Sequence, residues 1–283
     1  MTRLSAEQVG VLAVGVPALR DLPWRRTRDP WRILVSEVML QQTQVARVVP
    51  RWELFIGRWP TPGDCASASL AEVLGEWQGL GYPRRARNLW LTARRCVAEH
   101  AGRLPVTLDG LLELPGIGPY TARAVMVFAN EADVAVVDTN IARVLARRAG
   151  HRLTPRQAQQ SADDLVPAGR SWEWNQVVMD LGAVRCRPIP DCDGCPIECA
   201  WRAAGHPDPD PAIGSAGVSG RQAAFAGSDR QLRGRLMAAL ADGPVRDVGA
   251  VLGPDEPRAP AIVDSLVADG LAVVHPDGSV SHP

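Results

Sequence analysis

Leu114-Pro115-Gly116-Ile117-Gly118-Pro119-Tyr120-Thr121-Ala122-Arg123-Ala124-Val125 places two glycines in a tight turn directly ahead of a helical pattern. Glycine lets a turn approach a ligand closely, and unpaired amides at a helix start favour an anion. Gly116 and Gly118 are therefore candidate phosphate contacts, although an ordinary helix–helix turn has the same composition. Outward from this turn, from Ser5 to about Arg202, apolar residues recur mostly at three and four positions and turn clusters interrupt them. That is the pattern of linked amphipathic helices, and the body of the chain is expected to be all-α. Residues 134–137, Val-Ala-Val-Val, form the one β-looking run, too short and isolated to imply a sheet.

The chain has 283 residues, 46% of them hydrophobic. At about 150 residues per domain this predicts two domains with packed cores and excludes collagen-like, mucin-like and disordered classes. No stretch approaches the roughly 20 apolar residues of a spanning helix. Residues 9–19 come nearest, but Gly10, Gly15 and Pro17 interrupt them, so neither a membrane anchor nor a secretory signal is expected and the cytoplasm is the default. All 31 basic residues are arginine, and the chain has no lysine. Residues 1–205 hold 25 Arg against 21 acids, and residues 206–283 hold 6 against 10, so a +4 body precedes a −4 tail. Such an excess permits binding to a polyanion without requiring it.

Residues 205–222 carry His-Pro-Asp-Pro-Asp-Pro and then Gly and Ser, a composition suited to an exposed linker. Beyond it, Ser228 and Gln231 form a capping-box signature opening a helix through Leu240, stopped by Gly243. Two short helices are expected over 245–252 and 257–269. A hairpin follows, with strands at 271–274 and 279–281 around His275-Pro276-Asp277-Gly278. Helices followed by a hairpin predict a small winged-helix-like module at 223–283, whose negative charge fits packing or partner docking better than clamping DNA.

Four cysteines, Cys186, Cys192, Cys195 and Cys199, have the spacing C-x5-C-x2-C-x3-C. Clustered thiols in a cytosolic chain suit tetrahedral zinc or an iron–sulfur cluster, and spacing alone does not choose between them. Cys65 and Cys96 read as small buried apolar residues. Residues 31–44, WRILVSEVMLQQTQ, read as a helix in which Glu37 has Ile33, Leu34 and Leu40 on its face. Desolvation there raises a carboxyl pKa and readies a general acid; the bland alternative is a half-exposed Glu paired with Arg. Asp138 ends the apolar run and opens the helical stretch 139–148 as an N-cap. Donors and dipole at that terminus are expected to keep it ionised. Two carboxylates with pKa values pushed apart are what glycosidic cleavage requires.

SEVMLQQTQV at 36–45, GLGYPRRARNL at 79–89, LPGIGPYTARAV at 114–125, VVDTNIARVLAR at 136–147 and the cysteine cluster together resemble MutY-type adenine DNA glycosylases of the helix-hairpin-helix superfamily, which includes endonuclease III. The resemblance runs from about Arg20 to Arg202. It implies two all-α lobes: a six-helix barrel with the helix-hairpin-helix at 24–133, and a cluster domain built from 1–23 and 134–204, holding a 4Fe-4S cluster, with zinc as the alternative. Double-stranded DNA would lie across the cleft between the lobes. An adenine mispaired with 8-oxoguanine or guanine would be flipped out for hydrolysis of its N-glycosidic bond.

By the same resemblance Glu37 is the acid that protonates adenine at N7, Asp138 the carboxylate that stabilises the sugar cation, and Tyr120 and Asn140 their supports. Gln42 and Tyr82 match residues that wedge into the duplex, with Gln41 and Thr43 beside them at the DNA surface. Arg20, Leu22, Trp24, Arg25 and Gln176 match the lining of the adenine pocket. Arg84, Arg85 and Arg87, beside Tyr82, are candidate phosphate contacts. Bifunctional relatives carry a lysine where this chain has Tyr120, and without any lysine no lysine imine can form, so a monofunctional glycosylase using water is expected. The outer cysteine gaps are shorter than the family's C-x6-C-x2-C-x5-C, and the tail is too short for the Nudix-like domain of many members. It looks like the shorter ends of actinobacterial members. A monomer in the nucleoid is expected. The alternatives are a glycosylase for another base, such as thymine opposite guanine, and a non-catalytic DNA-binding or redox-sensing protein.

Overall fold

Ser or Thr followed three residues later by Gln, Asp or Glu opens four helices as reciprocal capping boxes: Ser5 with Gln8, Thr61 with Asp64, Ser69 with Glu72, and Thr154 with Gln157. A computed structural model of the chain describes residues 3–218 and 224–283. In chain order the helices are α1 (Ala6–Gly15), α2 (Pro30–Leu40), α3 (Val45–Arg58), α4 (Pro62–Ser67), α5 (Leu70–Glu76), α6 (Arg84–Glu99), α7 (Leu108–Leu112), α8 (Pro119–Asn130), α9 (Thr139–Ala149), α10 (Pro155–Leu165), α11 (Ser171–Val184), α12 (Ala200–Ala203), α13 (Asp229–Ala241), α14 (Val248–Leu252) and α15 (Ala259–Ala268). The two strands, β1 (Val273–Val274) and β2 (Val280–Ser281), pair antiparallel, with Val273 opposite Ser281 and Val274 opposite Val280. The fold is all-α apart from that hairpin. Among the described residues no helix is long and apolar enough to cross a membrane.

The chain divides into two compact units. The first comprises residues 1–30, 106–108 and 117–221. Here α9 packs on α10, α11 and α12, and α1 lies on α11. The second comprises residues 31–105, 109–116 and 222–283. Its core includes α4, α5 and α6, with Phe55, Trp59 and Trp77 stacked edge to face. This division differs from the boundary read between 133 and 134, because 117–133 groups with the cysteine-bearing segment and the tail groups with 31–105.

Three local expectations are corrected. The helix expected through Gln44 stops at Leu40, and Gln42 adopts a left-handed φ of 57°. The cause lies in another segment: Arg85 of α6 donates to the carbonyls of Val38 (2.8 Å), Met39 (3.0 Å) and Gln41, taking the acceptors that further turns of helix would need. The expected linker is not free. Asp210 pairs with buried Arg147 at 2.5 Å, Ser215 Oγ accepts the Leu153 amide at 2.9 Å, and Ala212 and Ser215 are buried. Its end, 219–222, and the first residue of the tail module, 223, lie outside the described residues. Finally, the β-looking run has a side-chain neighbour instead of a strand: Asn175 of α11 accepts the Val136 amide at 2.9 Å and donates to the Val134 carbonyl at 3.0 Å.

The tail forms α13, α14, α15 and the hairpin in the order read from sequence, and Val245 makes an isolated antiparallel bridge to Val280. Cys65 and Cys96 are fully buried, and burial pushes their thiols up to about 12 and about 11.

Candidate active site

Glu37 sits on the buried face of α2, 6% exposed, among Ile33, Leu34 and Val38. After α2 the chain turns through Gln41, Gln42 and Thr43. The loop before α6 brings up Tyr82, also left-handed at φ 49°. Non-glycine residues in this region cost about 1–3 kcal/mol each and persist where surroundings over-determine them. Here the over-determining group is Arg85. Besides its bonds to the end of α2, its second nitrogen donates to Thr43 Oγ1 (3.1 Å), the Leu80 carbonyl (3.0 Å) and the Gly81 carbonyl (2.9 Å). Burial pushes its pKa down to about 10. Arg85 is thus a clamp joining the Gln42 and Tyr82 loops, and the expectation of a phosphate contact is corrected. Arg84 is exposed and Arg87 half-buried on the same helix.

Gly116 has φ 75°, and a Cβ there would meet Asn88 of α6 at 2.5 Å, so both conformation and packing require glycine. Gly118 is the N-cap of α8 with extended backbone and no side-chain cap, and Pro119 follows at the first helical position. A Cβ at Gly118 meets nothing within 4 Å. Tyr120 is half-buried in that first turn.

Asp138 is the N-cap of α9, its Oδ1 accepting the Ile141 amide at 2.7 Å and its Oδ2 the Asn140 side-chain amide at 2.9 Å. Asn140 is held in turn by Arg143, which donates to Asn140 Oδ1 at 2.9 Å and to the Gly182 carbonyl at 2.6 Å. α11 can come this close only because residue 182 is glycine, since a Cβ there would lie 2.7 Å from the Asn140 carbonyl oxygen. The expected direction of the Asp138 pKa is corrected. Burial raises it above 3.8, and the donors at Ile141 and Asn140, with the Arg143 charge, offset that only in part.

Gln176 is buried on α11, and Leu22 and Trp24 are buried around the short turn Pro23–Arg26. Arg20 and Arg25 both point at Asp180, one turn of α11 beyond Gln176. Arg25 makes a bidentate pair at 2.7 and 2.8 Å, and Arg20 adds its amide at 2.9 Å and its Nε at 2.8 Å. Burial works against the Asp180 charge, but the bonds from Arg25 and Arg20 hold its carboxyl below the usual range. Sequence reading missed Asp180, Gly182 and Arg143. Asp180 lies on the face of Gln176 at four-residue spacing, and a glycine inside a helix is itself a sign of close approach.

Cys186, Cys192, Cys195 and Cys199 line one pocket with Arg147, Arg202 and Trp201. Arg147 of α9, buried, donates to Cys186 Sγ at 3.3 Å and to the Arg187 carbonyl at 2.7 Å. Arg202 donates to the carbonyls of Cys195 (3.0 Å) and Ile197 (2.9 Å), and its amide bonds Cys199 Sγ at 3.4 Å. Gly194 at φ 62° makes the turn between the two central cysteines, and Cys199 caps α12. Among the described residues no three His, Cys, Asp or Glu side chains converge as a single metal ion needs. Four soft sulfurs around one pocket, edged by cationic donors, are a donor set that fits an iron–sulfur group.

Residues 35–168 match the family model described as HhH-GPD superfamily base excision DNA repair protein. The chain is 42% identical to the adenine DNA glycosylase of Mycolicibacterium smegmatis over 97% of its own length and 95% of that protein. It is also 42% identical to the human adenine DNA glycosylase, over 71% of this chain but 40% of the human protein. Among solved structures a thermostable thymine-DNA glycosylase superposes with a TM-score of 0.66 at 31% identity, covering 69% of this chain and 94% of that one. An endonuclease III in a trapped DNA complex superposes at 0.61 and 23% identity over 72% of this chain and 99% of that one, a likeness of fold.

Proposed function

The chain belongs to the adenine DNA glycosylases of the HhH-GPD superfamily, and from that membership we propose that it is a base excision repair enzyme hydrolysing the N-glycosidic bond of adenine opposite 8-oxoguanine or guanine in double-stranded DNA. The observation that carries the reading is Glu37, a carboxyl buried at 6% exposure on an apolar helix face. A carboxyl so placed can serve as the proton source that departure of a purine demands. Glu37 donates its proton to N7 of the flipped adenine. The C1′–N9 bond then breaks with its electron pair leaving on the base, and the oxocarbenium-like sugar is stabilised by the Asp138 carboxylate. Asn140 holds Asp138 in position, and Tyr120 lies in the first turn of α8. Water adds to the cation, the proton it sheds restores the Glu37 carboxyl, and an abasic site remains. With no lysine in the sequence, strand cleavage through a lysine imine is closed to this enzyme.

Cys186, Cys192, Cys195 and Cys199 would hold a 4Fe-4S cluster, whose iron–thiolate bonds would cross-link the 186–199 segment. Arg84 and Arg87, the turn at Gly116 and Gly118, and the loops of Gln42 and Tyr82 would meet the DNA. Duplexes with one mispair each, incubated with the enzyme and treated with alkali, test the assignment. Scission at adenine opposite 8-oxoguanine and guanine is expected. Scission only at thymine opposite guanine, or none at adenine, would reject it.

A further inference from the structure

Arg230 stands in the first turn of α13, and its Nη1 donates to the Tyr82 hydroxyl at 3.2 Å. On its other side the guanidinium lies 5.2 Å from the ring centroid of Phe225, which is 54% exposed. The tail meets α6 at two further points. Asp269, held by Arg233 at 2.5 Å, lies 3.4 Å from Arg84, and Gly270 leaves a space filled by the Arg87 guanidinium, whose Nε would be 2.6 Å from a Cβ there. All of these residues belong to the second compact unit. Tyr82 therefore has its backbone fixed from one side by the Arg85 clamp and its hydroxyl fixed from the other by the tail.

A side chain that must insert between stacked bases loses less entropy when its rotamer is already set before binding. A tyrosine at φ 49° also needs surroundings that over-determine it. We propose that the C-terminal module is a positioning element for mispair recognition, in which Arg230 orients Tyr82 for insertion while Asp269 and Gly270 set Arg84 and Arg87 on the same helix. The proposal rests on the reading of Tyr82 as an inserting residue. It assigns Arg230 a positioning role, with no contact to the reacting atoms.

The test uses the full chain and a duplex whose target adenine carries a 2′-fluoro sugar, which blocks cleavage. The measured quantities are the ratio of affinities for the mispaired over the fully paired duplex, and the fluorescence of a 2-aminopurine placed beside the mispair, which reports unstacking. Arg230→Ala should lower the ratio about tenfold, the scale of one lost hydrogen bond to a charged group, and dim the fluorescence. Arg230→Lys should restore part of both. Tyr82→Phe, which keeps the ring and removes the hydroxyl, should act alike, and the double variant should be no worse than either single one. A wild-type ratio in Arg230→Ala, or losses that multiply in the double variant, overturns the proposal. Tyr82→Ala separates the two layers: if it too keeps the ratio, the insertion reading fails as well, and if it alone loses the ratio, only the role of the tail fails. Unchanged thermal melting in each variant excludes misfolding as the cause.

Discussion

Asp138 accepts two well-formed hydrogen bonds at the start of α9, and burial nevertheless raises its pKa. The role proposed for it, stabilising the sugar cation, needs the charged form, so adenine release should begin to fall with decreasing pH above the ordinary aspartate range. Single-turnover release across pH measures that limb, and a rate flat down to the ordinary aspartate value of 3.8 would contradict the assignment. Stability carries the same signature. Because the folded state holds this proton more tightly than the unfolded chain, the contribution of Asp138 is full below the unfolded pKa and is lost as pH rises through the folded one. Urea unfolding of wild type and Asp138→Asn at pH about 4 and about 7 should show the difference moving in favour of Asn at the higher pH. A difference independent of pH would show that the pKa is not raised. The capping position of Asp138 was legible from its neighbours in sequence. Its net pKa was not, because desolvation is set by elements distant in the chain.

Helix α11 buries Gln176, sets Asp180 one turn further on against Arg20 and Arg25, and turns Gly182 toward Asn140. Gly182 admits the first turn of α9, so Gly182→Ala should push Asn140 away, costing about 1–3 kcal/mol by overpacking and slowing adenine release. Thermal melting and single-turnover release read the two effects, and an alanine variant with both unchanged would contradict the close approach. Arg85→Met should loosen the Gln42 and Tyr82 loops together and weaken binding to mispaired DNA more than to paired DNA. Equal weakening of the two would mean that the clamp serves only the fold. Capping boxes mark the starts of α1, α4, α5 and α10 in the sequence. The end of α2 was not readable there, since the residue that stops it lies more than forty positions away on α6. Asn175, which gives the run 134–137 its hydrogen bonds, is likewise a partner that no local pattern names.

Across the whole chain the net charge is zero, and the excess of arginine over acids sits in residues 1–205. DNA binding should therefore weaken steeply with added salt through counterion release, and an affinity indifferent to salt would contradict phosphate contacts by Arg84 and Arg87. The cysteine spacing reads as a metal centre, and the structure brings the four thiols to one pocket. The Asp210–Arg147 pair that ties the supposed linker to the cysteine loop was not legible, because its Pro-Asp composition matches that of exposed segments. Iron and acid-labile sulfide in the purified protein, with a lower melting temperature once iron is removed by chelation, are expected. Zinc in their place would contradict the cluster.

The central claim is that the buried Glu37 carboxyl delivers the proton that frees adenine, and Glu37→Gln removes that proton while keeping shape. Single-turnover release of adenine opposite 8-oxoguanine should fall by about 10²–10⁴ in this variant while its affinity for the same mispaired duplex is retained. Release at the wild-type rate would contradict the account.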